Sequence, residues 1–301
     1  AISQEAFAKL TEKVQAACLD MQKEGLPHPT VFEVETAIAF CFFKQENCDA
    51  VVLETGLGGA QDATNLITQP FCSVLTSISM DHMQLLGQTL EEIAAAKAGI
   101  IKSGCPCVSA PQQPEVEKVL RKAAEEKGAA FYMADSSCIS SFCCQEQTSS
   151  FELQTQADAC GCQKAKDMPA QSDACGYQKV HGLLGLAGAC QKENLACVLE
   201  TLRVLKEQGL RIPREAMLTG LERVRLPGRF EKISSEPDFY IDGAHNEGAA
   251  RFLKKTVQSA LAGRRVVYII GVFADKEYEK LLRIMLPYAA QVFCVTPDHP
   301  R

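Results

Sequence analysis

The stretch "DAVVLETGLGGAQDATN", Asp49–Asn65, is an apolar run that ends on an acid, Glu54, and breaks into three glycines before a polar Asp-Ala-Thr-Asn. Ala50 to Leu53 has the character of a short strand covered on both faces. Ahead of it, Thr30 with Glu33 three residues later forms a capping box, and Ile38, Phe40, Phe42 and Phe43 make the following helix apolar nearly all round, so that helix is expected to be buried. A helix followed by a buried strand points to an α/β sheet. The glycines are no phosphate loop, because no Gly-Lys-Ser/Thr follows and G-x-G-G lacks the third glycine of a dinucleotide fingerprint. They permit a sharp turn and close backbone approach, leaving Glu54 free to reach a cation.

Outward from this run the same alternation continues. Ser3 caps a helix with Phe7, Leu10, Val14, Cys18 and Met21 on one face, ended by Gly25, Pro27 and Pro29. Ser73 to Ser79 reads as a strand that delivers Asp81 and His82 at its end. Thr89 with Glu92 is a second capping box, opening the helix that holds Lys97. Pro106 to Ala110 reads as a further strand and Glu115 to Lys127 as a helix, which predicts a mostly parallel sheet flanked by helices. Residues 135–180 differ: they are Gln- and Cys-rich and weakly periodic, and "QADACGCQK" (156–164) recurs as "QSDACGYQK" (171–179). They are read as an irregular insertion, a hairpin or a mobile loop. Lys192–Gly209 is a helix with a glycine stop. "DFYIDGAHNEGAARFLKKTV" then reads as strand, polar turn and helix, and "RRVVYIIGVFADK" as a further strand. Pro227-Gly228 is the expected boundary between residues 1–226 and 227–301.

The 301 residues are 47% apolar and 23% charged, the balance of a soluble globular chain, and the net charge of -6 argues against nucleic acid or anionic lipid as partner. No apolar run approaches the roughly 20 residues of a membrane helix, and the N-terminus lacks a signal pattern. A cytoplasmic location is expected. The 15 cysteines are mostly scattered through apolar stretches, as at Cys41, Cys48, Cys72, Cys197 and Cys294, and are read as reduced buried thiols. Cys138, Cys143, Cys144, Cys160, Cys162 and Cys175 lack the paired spacing of a zinc site.

In open α/β sheets ligands bind beyond the carboxyl ends of strands. Glu54, His82, Asp242 with His245, and Asp275 with Lys276 all follow predicted strands. Each has a plain alternative: a solvent-facing acid, a turn histidine, an ordinary Asp-Gly turn with Asn246 as helix cap. A carboxylate and an imidazole from adjacent strand ends suit a Mg2+ or Mn2+ held partly by ligand phosphates.

Four blocks in order, "ETGLGGAQDATN", "SISMDHMQLLGQTLEEIAAAKAGIIK", "LPGRFE" and "YIDGAHN", strongly resemble the folylpolyglutamate synthase and dihydrofolate synthase family of the Mur ligase superfamily, from about residue 30 to 301. The resemblance implies an incomplete Mur ligase central domain followed by part of a Rossmann-like C-terminal α/β domain. It implies an ATP-dependent ligase that converts a folate-type carboxylate to an acyl phosphate, which the amine of L-glutamate attacks, releasing ADP and phosphate. By similarity Glu54 and His82 are metal ligands for Mg2+ or Mn2+, with a monovalent cation as a further candidate. Lys97 matches the lysine that carries a carbamate. Asn194, Arg229, Asp242 and His245 match nucleotide-side positions, and Gln61, Asp62 and Ala63 lie on the pterin side. The expected partners are folate or dihydropteroate, L-glutamate and ATP, and the expected state is a monomer.

The sequence departs from the family pattern in places. Cys190-Gln191 stands where His-Gln is usual, and Ala60 where many bacterial relatives have arginine. No G-x-x-G-K-[ST] occurs, so the chain is read as a fragment without a P-loop that alone binds ATP weakly and turns over negligibly. The competing readings are a Mur-type ligase adding amino acids to a cell-wall precursor, and a non-catalytic binding fragment.

Overall fold

The computed structural model describes residues 2–156, 177–273 and 278–296. Helix α1 (Gln4–Lys23) is capped by the Ser3 hydroxyl and buries Leu10, Val14 and Cys18 against α2 (Val31–Gln45). The spacing of those three residues places them on one stripe, while Phe7 lies outside the buried strip. The Thr30–Glu33 capping box forms as expected. Helix α2 is less covered than its composition suggests: only Thr36 and Ile38 are buried, and Val31 and Phe32 are exposed.

A parallel sheet, β1 (Ser73–Leu75), then β2 and β3, is wound through helices in the expected right order. After β1 come α3 (Met83–Leu86) and α4 (Leu90–Ala98), then β2 (Cys107–Ser109), α5 (Pro114–Glu126) and β3 (Phe131–Met133). Its two faces differ. Cys107 points to the layer of α4 and α5 with Leu75, Ile93, Ile101 and Leu120, while Val108 joins a core on the other side. A strand buried on both faces is the reason β2 is apolar throughout. The Thr89–Glu92 capping box opens α4.

Ala50–Leu53 does not form the expected buried strand. Val52 is 97% exposed, and the described sheet begins at β1. An apolar run becomes a strand only where a neighbour pairs with its backbone, and no described strand lies beside this one.

The described residues on either side of the expected insertion's centre form regular strands. β4 (Ile139–Cys144), β5 (Ser149–Gln156) and β6 (Tyr177–Leu184) form an antiparallel meander in which Ile139, Phe151, Leu153, Val180 and Leu184 enter the core on the Val108 side. Most of the duplicated nonapeptide lies outside the described residues. Helix α6 (Gln191–Glu207) closes that core with Leu195, Ala196, Cys197 and Val204, and α7 (Arg214–Arg223), which the sequence reading did not anticipate, adds Leu221.

The C-terminal part contains an antiparallel pair, β7 (Glu231–Ser235) with β8 (Asp238–Ile241), then α8 (Glu247–Ala260). β9 (Val267–Ile270), α9 (Tyr278–Met285) and β10 (Gln291–Cys294) follow, β9 and β10 pairing in parallel. Phe230, Val257 and Leu261 pack with Ala187, so this part is seated directly on the end of the meander. The architecture is thus mixed α/β with parallel sheets and flanking helices.

The cysteine expectation holds in part. Cys18, Cys107 and Cys197 are buried, and burial pushes the Cys107 thiol up to about 12 and the Cys197 thiol up to about 11. Cys41 and Cys72 are half-buried, whereas Cys48 and Cys294 are exposed. Among the described residues no three His, Cys, Asp or Glu side chains form a metal-binding group.

Candidate site at the seam of the middle and C-terminal parts

The glycine loop after Glu54 is held as a compact unit against the C-terminal end of α4. Ala60 N–H donates to the Ala96 carbonyl at 3.2 Å, and Asn65 Nδ2 donates to the carbonyls of Ala60 and Gly99, each at 3.2 Å. A Cβ on Gly59 would stand 2.8 Å from the Lys97 carbonyl oxygen, and one on Gly99 would stand 2.4 Å from Ala60 Cα. Glycine is therefore required on both sides of this contact. Asp62 is the internal tie: Oδ2 accepts from Leu57 N–H at 2.8 Å, and Oδ1 accepts from the N–H and hydroxyl of Thr64. These hydrogen bonds hold its carboxyl below the usual range against the opposing effect of burial. Gln61 is exposed and Ala63 begins a short 3-10 turn. Lys97 is half-buried and Glu54 exposed, and among the described residues no hydrogen bond or ion pair links either to His82.

His82 adopts a left-handed backbone, φ 50°, ψ 36°, in front of α3. Phe230 shares this unusual conformation with φ 45°. Non-glycine residues rarely occupy that region, and such strain collects at functional turns. Asp81 Oδ1 accepts from the His82 backbone N–H at 2.8 Å, with the His82 ring 3.9 Å from Oδ2. The same Oδ2 accepts from Asn246 Nδ2 at 2.9 Å and lies 3.3 Å from His245 Nε2. Asn246 also caps α8 through Ala249 N–H at 2.8 Å. The strand-end turn of the middle part thereby meets the polar turn of the C-terminal part.

Beside this seam lies a second group. Gly243 N–H donates to the Gly228 carbonyl at 2.8 Å, and the Arg229 guanidinium lies against Gly243. Asp242 is exposed as a residue, but its carboxylate turns inward: Oδ2 accepts from Phe230 N–H and Oδ1 from Ala244 N–H, each at 2.9 Å. Enclosure of that carboxylate raises its pKa, with these bonds and nearby Arg229 opposing the rise. The Cys190 thiol, pushed up to about 11 by burial, sits in the field of Asp242 and Arg229. It begins α6, where Asn194 Nδ2 donates to Gln191 Oε1 at 3.0 Å. Thr256, buried on α8, accepts Ala189 N–H at 2.8 Å and fixes α8 to the start of α6. Asn194, Arg229, Asp242 and His245 therefore fall in one region around the α6 and α8 N-termini. Asp275 and Lys276 lie outside the described residues.

The seam is braced away from this region by charge. Lys232 Nζ, with its side chain 9% exposed, meets Glu146 Oε2 at 2.6 Å and Asp238 Oδ1 at 2.8 Å. Arg264 pairs with Glu146 Oε1 at 2.7 Å and with Asp238. This joins the β4–β5 turn to the β7–β8 pair. The Lys232 ammonium holds both carboxyls below their ordinary values of 4.5 and 3.8. A carboxyl depressed in the folded state contributes stability above its unfolded pKa and loses it as pH falls through the folded value. The melting temperature of Glu146→Gln should thus lie below that of the native chain at neutral pH, the gap closing below about pH 4. Parallel melting curves across that range would dismiss the brace.

Asp81 is placed at a strand end by the sequence but given no role there. It appears in the "MDH" run, but its partners are 164 and 165 positions away, and no local pattern signals them.

Residues 5–166 match the Mur ligase middle domain, and residues 228–301 match the Mur ligase glutamate ligase domain. A dihydrofolate synthase/folylpolyglutamate synthase of Bacillus subtilis is 33% identical over 100% of this chain and 66% of its own length. The structure of Mycobacterium tuberculosis folylpolyglutamate synthase complexed with ADP and AMPPCP superposes with a TM-score of 0.82, at 28% identity, over 100% of this chain and 64% of that one. An FPGS–AMPPCP–folate complex gives a TM-score of 0.83 at 28% identity, over 96% of this chain and 66% of that one. The chain thus spans slightly less than two thirds of the length of these relatives. With the middle-domain match covering more than half of its residues, the chain belongs to the Mur ligase superfamily, and the relatives it is similar to are named as folylpolyglutamate and dihydrofolate synthases.

Proposed function

We propose that the chain serves an ATP-dependent ligase that joins a folate-type carboxylate, on dihydropteroate or a folylpolyglutamate, to the amine of L-glutamate. The observation that carries this reading is the seam, where His82 from the middle part meets His245 and Asn246 from the C-terminal part across Asp81. Relatives that match this chain along its length are named for this activity, and one structure is of an FPGS–AMPPCP–folate complex. We further propose that residues 1–226 and 227–301 are the two domains, that the protein is cytoplasmic, and, by likeness to the family, that it is a monomer.

A carboxylate is a poor electrophile. Transfer of the γ-phosphoryl group of ATP to a carboxylate oxygen yields an acyl phosphate and ADP. Attack by the glutamate amine on the carbonyl carbon then forms the amide, expels phosphate and releases a proton. Arg229, beside Gly243, suits a phosphate, and the region of Asn194, Asp242 and His245 suits the rest of the nucleotide. The exposed carboxylate of Glu54 and the imidazole of His82 fit Mg2+ or Mn2+, hard ions that accept such ligands along with water and phosphate. Bound there, the ion would offset charge in phosphoryl transfer. A monovalent cation is a second candidate. Lys97 as its carbamate would present an anion at the end of α4, where the glycine loop is docked. Gln61 and Ala63 flank Asp62 on the proposed substrate side, with Asp62 holding the loop in shape.

The test is ADP release by the protein that carries this chain. Release should require L-glutamate together with dihydropteroate or tetrahydrofolate, and a UDP-linked peptide should not substitute. Turnover with the peptide and none with either pterin would replace this reading by that of a cell-wall ligase.

A further inference from the structure

We propose that Asp81 is the positioning residue that joins the two halves of the site, holding the His82 turn and the His245–Asn246 turn in one fixed relation; the functional part of this proposal rests on the ligase reading above. Three polar groups converge on this one carboxylate. Oδ1 takes the backbone N–H of His82, the residue held in a left-handed conformation, and Oδ2 takes Asn246 Nδ2 at 2.9 Å and faces His245 Nε2 at 3.3 Å. Hydrogen bonds to an ionised acceptor are stronger and shorter than neutral ones. The side chain can therefore pull on both turns at once.

The surrounding contacts allow little slack. Asn246 Oδ1 simultaneously caps α8 through Ala249 N–H at 2.8 Å, so the amide that reaches Asp81 is also tied to the helix axis. In the same first turn of α8, a Cβ on Gly248 would lie 3.1 Å from Ser79 Oγ, which brings the start of α8 flush with the segment leading into Asp81. His245 Nδ1 lies 2.8 Å from the Gly243 carbonyl, linking the imidazole to the turn that adjoins Arg229. A displacement of Asp81 would thus be felt at His82 on one side and at the His245–Arg229 turn on the other.

Hydrogen exchange of the whole chain tests this. Asp81→Ala should raise the exchange of backbone amides 81–83 and 245–249 by about tenfold, the factor that loss of one charge-assisted hydrogen bond carries, with α4 and α5 unchanged. Asn246→Asp keeps the cap on Ala249 but sets one carboxylate against another, and should loosen the same two segments. The exchanged pair Asp81→Asn with Asn246→Asp restores a donor facing an acceptor and should return both segments to within about twofold of the native rate. That rescue separates positioning from a loss of general stability, which the exchange could not repair. If Asp81→Ala fails to fold, the Asn246→Asp variant and the exchanged pair decide alone. Exchange at 245–249 unaffected by Asn246→Asp, or unrepaired in the exchanged pair, overturns the proposal. Binding of AMPPCP is followed in parallel: should the native chain's parent protein bind none, the ligase reading fails, and exchange still decides whether Asp81 joins the two turns.

Discussion

Glu54→Gln is expected to lower magnesium-dependent ADP formation by more than about 100-fold in the protein carrying this chain, while the melting temperature stays within about 2 °C. The first figure follows from the proposed role: loss of a partner one step removed from a metal already costs about 10- to 100-fold, and a direct ligand counts for more. The second follows from the structure, since the side chain is exposed and has no hydrogen bond or ion pair among the described residues. Gln keeps the shape and removes the charge. Titrating Mg2+ should partly restore turnover in the variant, and an unchanged rate at all Mg2+ concentrations would take Glu54 out of the site.

Gly99→Ala should act in the opposite manner, through the fold. The added methyl group would lie 2.4 Å from Ala60 Cα and 2.5 Å from Ala60 N, so it meets backbone that no rotamer change can move aside. Overpacking of this kind costs about 3 kcal/mol at its upper range, or roughly 6–12 °C in melting temperature for a chain of this size. Relief requires the glycine loop to lift from α4, breaking the Ala60–Ala96 and Asn65–Gly99 hydrogen bonds. Thermal unfolding reads the effect directly. A melting temperature within about 1 °C of native would show that the loop yields freely and is not the rigid platform described above.

The two glycine-side predictions bear on what the sequence could and could not disclose. Local chemistry was readable: the capping boxes at Thr30–Glu33 and Thr89–Glu92 form because each involves residues three apart. The parallel pairing of β1 and β2 followed from apolar runs alternating with helices, whereas β3, only Phe131–Met133, was too short to show. Ala50–Leu53 misled because β character expresses itself only with a pairing neighbour. β4, "ISSFCC", hid among serines and cysteines since only Ile139 on it is fully buried. α7 gave little warning because it starts after Pro213 without a side-chain cap and contains Gly220. At the site, the acids and histidines at strand ends were visible one by one. Their meeting across Asp81 was not, because it is a property of how two distant segments dock.

The register of β5 and β6 has a practical side. The strands pair without interruption from Ser149–Leu184 to Gln156–Tyr177, with their inner ends fastened in the core by Phe151, Leu153, Val180 and Leu184. Chain therefore departs at Gln156 and returns at Tyr177 through one gateway, on adjacent strands whose spacing is set elsewhere. A change confined between those two paired positions should keep the register of β5 and β6 and leave the seam between His82 and His245 as it is.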